Sequence, residues 1–230
     1  MPSFAQTSKV YEARRLGPGQ SISIDGRGGD PRWQSAKVLT DFCFPWTKRT
    51  PPLTEFRALW NEQHLYFRFD VTDADVVLGE GANAMDKVIG SDRAEIFFST
   101  GPKLNPYYGI EIDPRGEVLD YEGMFHRQMN FDWSCDGLVV ATSLSEVGYI
   151  VEASIPVATF KTLGCLHRDA TGDYLLAGLY RAEFNHAPAS GPVIPVRGPA
   201  IEDWISWIDP QVETPDFHVP TSFGMIRLGI

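Results

Sequence analysis

Cysteine is scarce. There are three in 230 residues, Cys43, Cys135 and Cys165, widely spaced and with no CxxC pair. An odd number at such spacing is neither a disulfide framework nor a zinc pattern, so reduced thiols in a reducing compartment are the expectation. Long apolar runs are missing too: none approaches the ~20 residues a membrane span needs, and Met1 to Gln6 contains no apolar leader core. The chain as given is therefore expected in the cytoplasm, or outside it if an export signal has been removed. Positive charge is the minority sign, with 20 Lys+Arg against 30 Asp+Glu and a net charge of −10. That balance argues against nucleic acid and against an anionic membrane surface as partners; a neutral ligand or a cation is compatible with it. No protein partner can be named from the chain. Enzyme signatures are absent as well: no HExxH, no GxSxG, no Walker loop and no EF-hand loop occurs. Gly79 to Ala84 matches GxGxxA in letters, but no βαβ unit surrounds it.

What the chain does contain is short alternating runs between turn residues. Hydrophobic residues make up 43% and aromatics 12%, with six Trp, while 21 Gly and 17 Pro interrupt any long helix. Leu65, Phe67, Phe69 and Val71 alternate with Tyr66, Arg68 and Asp70, and Phe56, Ala58 and Trp60 alternate with Glu55, Arg57 and Leu59. Asn61-Glu62-Gln63 reads as the turn between these two strands. Further strands are expected over 94–98, 107–112, 117–121, 138–144, 149–155, 174–184 and 223–228. Only Pro156 to Leu163 has a helical pattern, stopped by Gly164. Residues 83–91, 126–136 and the Pro-rich stretch from His186 to Asp203 read as loops. The expectation is an all-β fold: a jelly-roll-like β-sandwich of two antiparallel sheets with one short helix. It should form one domain over 1–230 with its core at about 23–228.

Several charges fall in the middle of strands: Glu95, Glu111, Glu152, Arg68 and Arg181. Such charges either face solvent or pair on a sheet face. On a concave face, Glu95, Glu111, Arg68 and Arg181 would form a polar platform. Two carboxylates roughly 5–10 Å apart could also hydrolyse a glycosidic bond. Trp204 and Trp207, three residues apart, should lie on opposite faces of an extended strand, so at most one shares the core. An exposed indole beside ionic groups is what a sugar requires, because its C–H face stacks on a ring and its hydroxyls need polar partners. Trp33 and Trp60 follow apolar patterns and read as core; Trp46 and Trp133 stand in loops.

These residues, taken in order, resemble family-9 carbohydrate-binding modules. Ile24-Asp25-Gly26, Asp30, Trp33 and Ala36 are similar to that family's opening motif. Leu65 to Asp73 resembles its Leu-Tyr strand, Asp92 to Phe97 its D-x-x-E-hydrophobic-F signature, and Gly148 to Pro156 its G-aromatic-x-x-E strand. Leu179-Tyr180-Arg181, Trp207 and Phe217 to Gly224 resemble the stand-alone branch of the family. The resemblance implies a sandwich that binds mono- or oligosaccharides without cleaving them, the sugar being gripped between two indoles. Glu95 takes the acidic sugar-contacting position. Trp207, or second Trp204, takes the C-terminal ring, with Arg181, Glu111 and Tyr108 completing the site. The other ring belongs a few residues before Asp92, where this chain has Asp86-Lys87-Val88-Ile89-Gly90; Tyr107, Tyr108, Phe125 or Trp133 is then the substitute. No cofactor is required, but the resemblance implies structural calcium near Asp25 and Asp30, whose oxygens suit that ion. Two other functions are compatible with these residues: a small glycoside hydrolase using the paired carboxylates, and a haem- or electron-carrying sandwich of the DOMON type using Met85 or Met124 with a His.

Overall fold

Alternation of apolar and polar side chains over five to nine residues leaves few choices but strands, and the described residues form thirteen of them. The structure, a computed structural model, describes residues 9–185 and 201–229. Met1 to Gln6 and most of the Pro-rich stretch lie outside the described residues. In chain order the strands are β1 (Val10–Arg15), β2 (Thr54–Trp60), β3 (His64–Thr72), β4 (Arg93–Ser99), β5 (Tyr107–Ile112), β6 (Val118–Met124) and β7 (Gln128–Asn130). They continue with β8 (Val139–Ser145), β9 (Gly148–Pro156), β10 (Leu166–Asp169), β11 (Gly172–Asn185), β12 (Ile201–Ser206) and β13 (Gly224–Leu228). Two helices, α1 (Ala84–Ile89) and α2 (Val157–Leu163), complete the regular structure, with 3-10 turns over Pro31–Ser35 and Pro220–Ser222.

The strands order as β7-β6-β5-β4-β11-β13-β1 in one sheet and β1-β2-β3-β9-β8 in the other, with β10 and β12 attached to β11. β1 belongs to both. Its first half pairs with β13 and its last two residues with β2, and both pairings are parallel. The expected pair of purely antiparallel sheets is thus corrected at one strand: β1 crosses from one layer to the other as a parallel member of each. All other ladders are antiparallel. Between the layers lies an apolar core. Phe56, Phe67, Phe69, Val151 and Ala153 of the second sheet meet Ile96, Phe98, Ile110, Leu179 and Ile226 of the first.

Helix α2 forms where the pattern placed it and ends at Gly164, whose φ of +74° makes the left-handed stop. The pattern missed helix α1, in a stretch expected to be loop, and the strands β1, β7, β10 and β12, two of which reach into expected loops. Six residues show less than two turns of periodicity; what starts the helix is Asn83, whose side chain accepts from the Asp86 N–H at 2.9 Å.

The first sheet buries both faces. On the side away from the core, a second apolar cluster of Val88, Phe97, Tyr107, Tyr121, Tyr180 and Phe217 is roofed by α1 and by the segment before β13. The candidate site opens in this roofed face.

Candidate functional site

Register decides which charges meet. In β4 the residues Arg93, Glu95 and Phe97 share one face by the two-residue period. Across the ladders Glu95 stands opposite Glu111 on β5 and Tyr180 on β11, and Trp204 on β12 stands opposite Ala182, which faces Arg93. All of these side chains point away from the core, beneath a cavity of about 360 Å³, at the small end of the roughly 300–1,000 Å³ common for ligand pockets.

The floor of that cavity is a three-charge bridge. Arg93 Nε lies 2.9 Å from Glu95 Oε1 and donates to Glu111 Oε2 at 2.7 Å. Tyr121 on β6 donates its hydroxyl to Glu111 Oε1 at 3.0 Å. The other end of the guanidinium reaches the carbonyls at the end of α1, among them Ile89 O at 3.3 Å, and its carbon lies 5.5 Å from the Trp204 ring centroid. Paired, hydrogen-bonded and stacked, the three charges can sit in a nearly closed site without an isolated ion. They remain strong hydrogen-bond partners for a hydroxyl-rich ligand.

Aromatic rings make the walls. Phe217 lies stacked on Tyr180, centroids 4.2 Å apart, and is flanked by Trp204 at 5.5 Å and Trp46 at 5.6 Å. Trp46 donates its indole N–H to Val212 O at 2.8 Å, which fixes the ring against the same segment. Asp216 closes one end of the cavity. It binds His126 Nε2 at 2.6 Å, accepts from the His218 N–H at 2.8 Å and lies 3.5 Å from Arg127. The His218 ring meets the Tyr107 hydroxyl at 2.8 Å. Burial, aided by nearby Arg127, pushes its pKa down to about 3, so the imidazole is neutral.

Glu95, Glu111 and Trp204 therefore come together as expected residues of one site. Trp207, Arg181 and Tyr108 do not. The Trp207 indole is 1% exposed and belongs to the core between the sheets. Trp204 and Trp207 do lie on opposite faces, but the ring left toward the cavity is Trp204, correcting their expected order. Arg181 stands opposite Ala94 rather than Glu95, so it points to the core side; it is wholly buried there with Asp73 (3.3 Å), Glu183 and the Thr72 carbonyl (3.1 Å). Tyr108, one residue out of phase with Glu111, also faces the core side. It packs against Trp133 at 4.8 Å and donates to Glu122 at 3.2 Å. Arg68 is on the far sheet, bound to Asp70 and to the Gly28 carbonyl.

Arg93, Tyr121, Trp46, Phe217 and Asp216 were missed. Arg93 was within reach, since it lies two residues before Glu95 and period 2 puts both on one face. Tyr121 follows from its place two strands away from Glu95, but only once register is known. Trp46 and Asp216 stand in irregular segments, and nothing in the pattern marks them.

The donors near the expected calcium segment are already used. The Asp25 carboxylate accepts from the Arg27 N–H at 2.9 Å. Both oxygens of Asp30 accept from the Arg32 guanidinium, at 3.1 and 3.0 Å, and Asp30 caps the turn that follows. At Asp30 a divalent ion would have to share both oxygens with the Arg32 guanidinium. Among the described residues the carboxylates that do cluster are Asp73, Asp92 and Glu183, and Arg181 already lies among them. The two methionines weighed as haem ligands lie apart in character: Met85 packs against the roof of the first sheet, and Met124 is exposed.

A two-layer β-sandwich with a small aromatic cavity over a carboxylate–guanidinium floor is the class this fold and site define. The chain belongs to the family described as carbohydrate family 9 binding domain-like, whose model matches residues 24–229. A candidate carbohydrate-binding protein from Bacteroides uniformis ATCC 8492 has a similar structure, with a TM-score of 0.68 at 17% identity over 96% of this chain and 99% of that one. So do two structures of a family-9 carbohydrate-binding module from Caldicellulosiruptor kristjanssonii. The complex with cellotriose gives a TM-score of 0.58 at 16% identity, over 96% and 94% of the two chains. The complex with glucose gives 0.55 at 18%, over 96% and 95%. Comparison with curated proteins finds no match. No helix among the described residues is long and apolar enough to cross a membrane.

Proposed function

We propose that the cavity binds a saccharide through Trp204 and the Arg93–Glu95–Glu111 floor, and changes none of its bonds. The observation that carries this reading is the single Arg93 Nε held between two carboxylates, 2.9 and 2.7 Å away, directly beside an indole. A pyranose presents a C–H face and a rim of hydroxyls. The indole takes the first, and the fixed donors and acceptors take the second. Trp46, which also lines the cavity and packs against Phe217, supplies the second indole in place of the ring absent before Asp92. Family membership, and the cellotriose and glucose held by the family-9 module named above, support a neutral glycan as ligand.

Hydrolysis is disfavoured by the same geometry. Glu95 and Glu111 sit on neighbouring strands of one face and share one Arg nitrogen. They face a ligand from one side, whereas glycoside cleavage places its two carboxylates across the scissile bond.

Calorimetry with glucose, xylose, galactose and their β-linked disaccharides tests the reading. At least one should bind, and Trp204→Ala should weaken it by tenfold or more, the ~1.4 kcal/mol expected of a lost stacking ring. A folded protein that binds none of them, or a Trp204→Ala variant of unchanged affinity, would remove the proposal.

A further inference from the structure

The cavity is chemically lopsided. On the β12 side its wall is indole, and beneath it runs the charged floor. On the β6–β7 side the wall is Ile89, Leu119, Met129 and Phe131, with Arg127 of the connecting turn at the end of the cavity, 3.5 Å from Asp216. Two of these are large apolar side chains left half open to solvent, Ile89 at 51% and Phe131 at 47% exposure.

Their placement is built in rather than incidental. The Ile89 carbonyl accepts from Arg93 Nη1 at 3.3 Å, which ties the end of α1 to the floor. Lys87 of the same helix pairs with Glu117 just before β6. Phe131 packs edge-on against Tyr121, centroids 5.6 Å apart, and Tyr121 in turn holds Glu111. Strands lie ~4.8 Å apart in a sheet, so the β6 side chains stand about 10 Å from Glu95, with Leu119 directly opposite Glu111 at the near edge of the floor.

A second sugar is a poor occupant of that wall. Ile89, Leu119 and Phe131 offer no hydrogen-bonding atom, and the sulfur of Met129 already accepts from the Tyr107 hydroxyl at 3.4 Å. Sugar hydroxyls pressed against those three side chains would lose water without gaining partners, which is costly, and the one cation on that side, Arg127, already faces Asp216. An apolar group attached to the first sugar gains instead by covering exposed side chains.

We propose that this site is specific for glycosides carrying an aromatic or alkyl aglycone, with the sugar on the Arg93–Glu95–Glu111 floor and the aglycone against Ile89 and Phe131. The inference rests on the saccharide reading of the same cavity and names its ligand class.

Methyl and phenyl β-glycosides of glucose, xylose and galactose, titrated into the full chain by calorimetry, test it. The phenyl glycoside of the accepted sugar should bind at least tenfold more tightly than the methyl glycoside. The double variant Ile89→Ser, Phe131→Ala, altered only at half-exposed side chains, should bring that ratio close to one. A ratio near one in the wild type, with the methyl glycoside still bound, overturns the aglycone proposal alone. So does a ratio that survives the double variant, or a disaccharide that outcompetes the phenyl glycoside and loses its advantage in that variant. If no glycoside binds while a free sugar does, the aglycone proposal falls alone; if neither binds, it falls together with the saccharide reading.

Discussion

Two tryptophans three residues apart show how one strand divides its labour. Trp204 is half-buried at the cavity and lies against Arg93. Trp207 is buried in the core cluster, and its backbone N–H continues the ladder by donating to Leu179 O at 3.0 Å. Their substitutions should therefore fail in different assays. Trp207→Ala should lower unfolding free energy by about 3–5 kcal/mol, the usual cost of a large ring removed from a packed core, seen as a fall in the urea midpoint. Trp204→Ala should move that midpoint far less while losing the ligand. Equal stability losses at the two sites would mean that Trp204 is structural packing. The opposite-face relation of this pair was legible in the sequence, because period 2 is enough to state it. Which ring faces outward was not, because the phase is fixed only by pairing with β11.

The same limit governs whole elements. Nine strands follow from alternation, and their ends move by three residues at most, since turn chemistry brackets them. The Glu95 face of β4 also follows, and with it Arg93. By contrast β7, with three residues, and α1, with six, are too short to show a period. Their side chains, Met129 and Ile89, form the apolar wall, so half of the cavity was hidden from pattern. One family signature gains a structural meaning here. Glu152 on β9 accepts from the Trp33 indole at 2.7 Å and from the Gly26 N–H at 2.8 Å, so the opening motif is clasped to the outer face of the second sheet. Gly26 is needed there. Its φ is +75°, and a Cβ would lie 2.6 Å from the Thr142 backbone. A different glycine shapes the binding face. Gly109 on β5 stands opposite Tyr121 on β6, and a Cβ there would lie 2.3 Å from the Tyr121 ring. Gly109→Ala should push that ring off the sheet and take the hydroxyl away from Glu111. Sugar affinity should drop severalfold, for a stability loss of about 1–3 kcal/mol from overpacking. Calorimetry and chemical unfolding on one preparation read both; an unchanged affinity would show that Tyr121 does not position the floor.

At the scale of the whole molecule, the junction of the two layers carries a buried group of charges. Asp73 lies 3.3 Å from Arg181, Glu183 pairs with the same guanidinium, and Asp92 accepts backbone N–H bonds from Val77 and Phe184. Three carboxylates around one cation leave an excess of negative charge out of water. Burial, opposed by the two backbone N–H groups and reinforced by Asp73 and Glu183, pushes the Asp92 pKa up to about 8. Burial against the pull of Arg181 pushes Glu183 up to about 7. In the unfolded chain both return to the ordinary carboxylate range near 4, so over the interval between, the folded state holds protons that unfolding releases. Their contribution to stability is complete below the unfolded values and is lost as pH rises through about 7 for Glu183 and about 8 for Asp92. His218 works in the opposite sense, because its depressed pKa of about 3 makes stability rise with pH until about 6.5. The Cys135 and Cys165 thiols, pushed up to about 12 by burial, lower stability only above pH 9 or so. Between pH 6.5 and 8 the carboxylates act alone among these groups, and stability should fall by on the order of 1 kcal/mol per pH unit. Urea unfolding across that interval measures the slope. Glu183→Gln, which cannot ionise, should make it shallower without reversing its sign, because Asp92 still titrates. A slope of zero or of positive sign in the wild type would mean that the cluster stays fully ionised, its excess charge balanced by something other than bound protons.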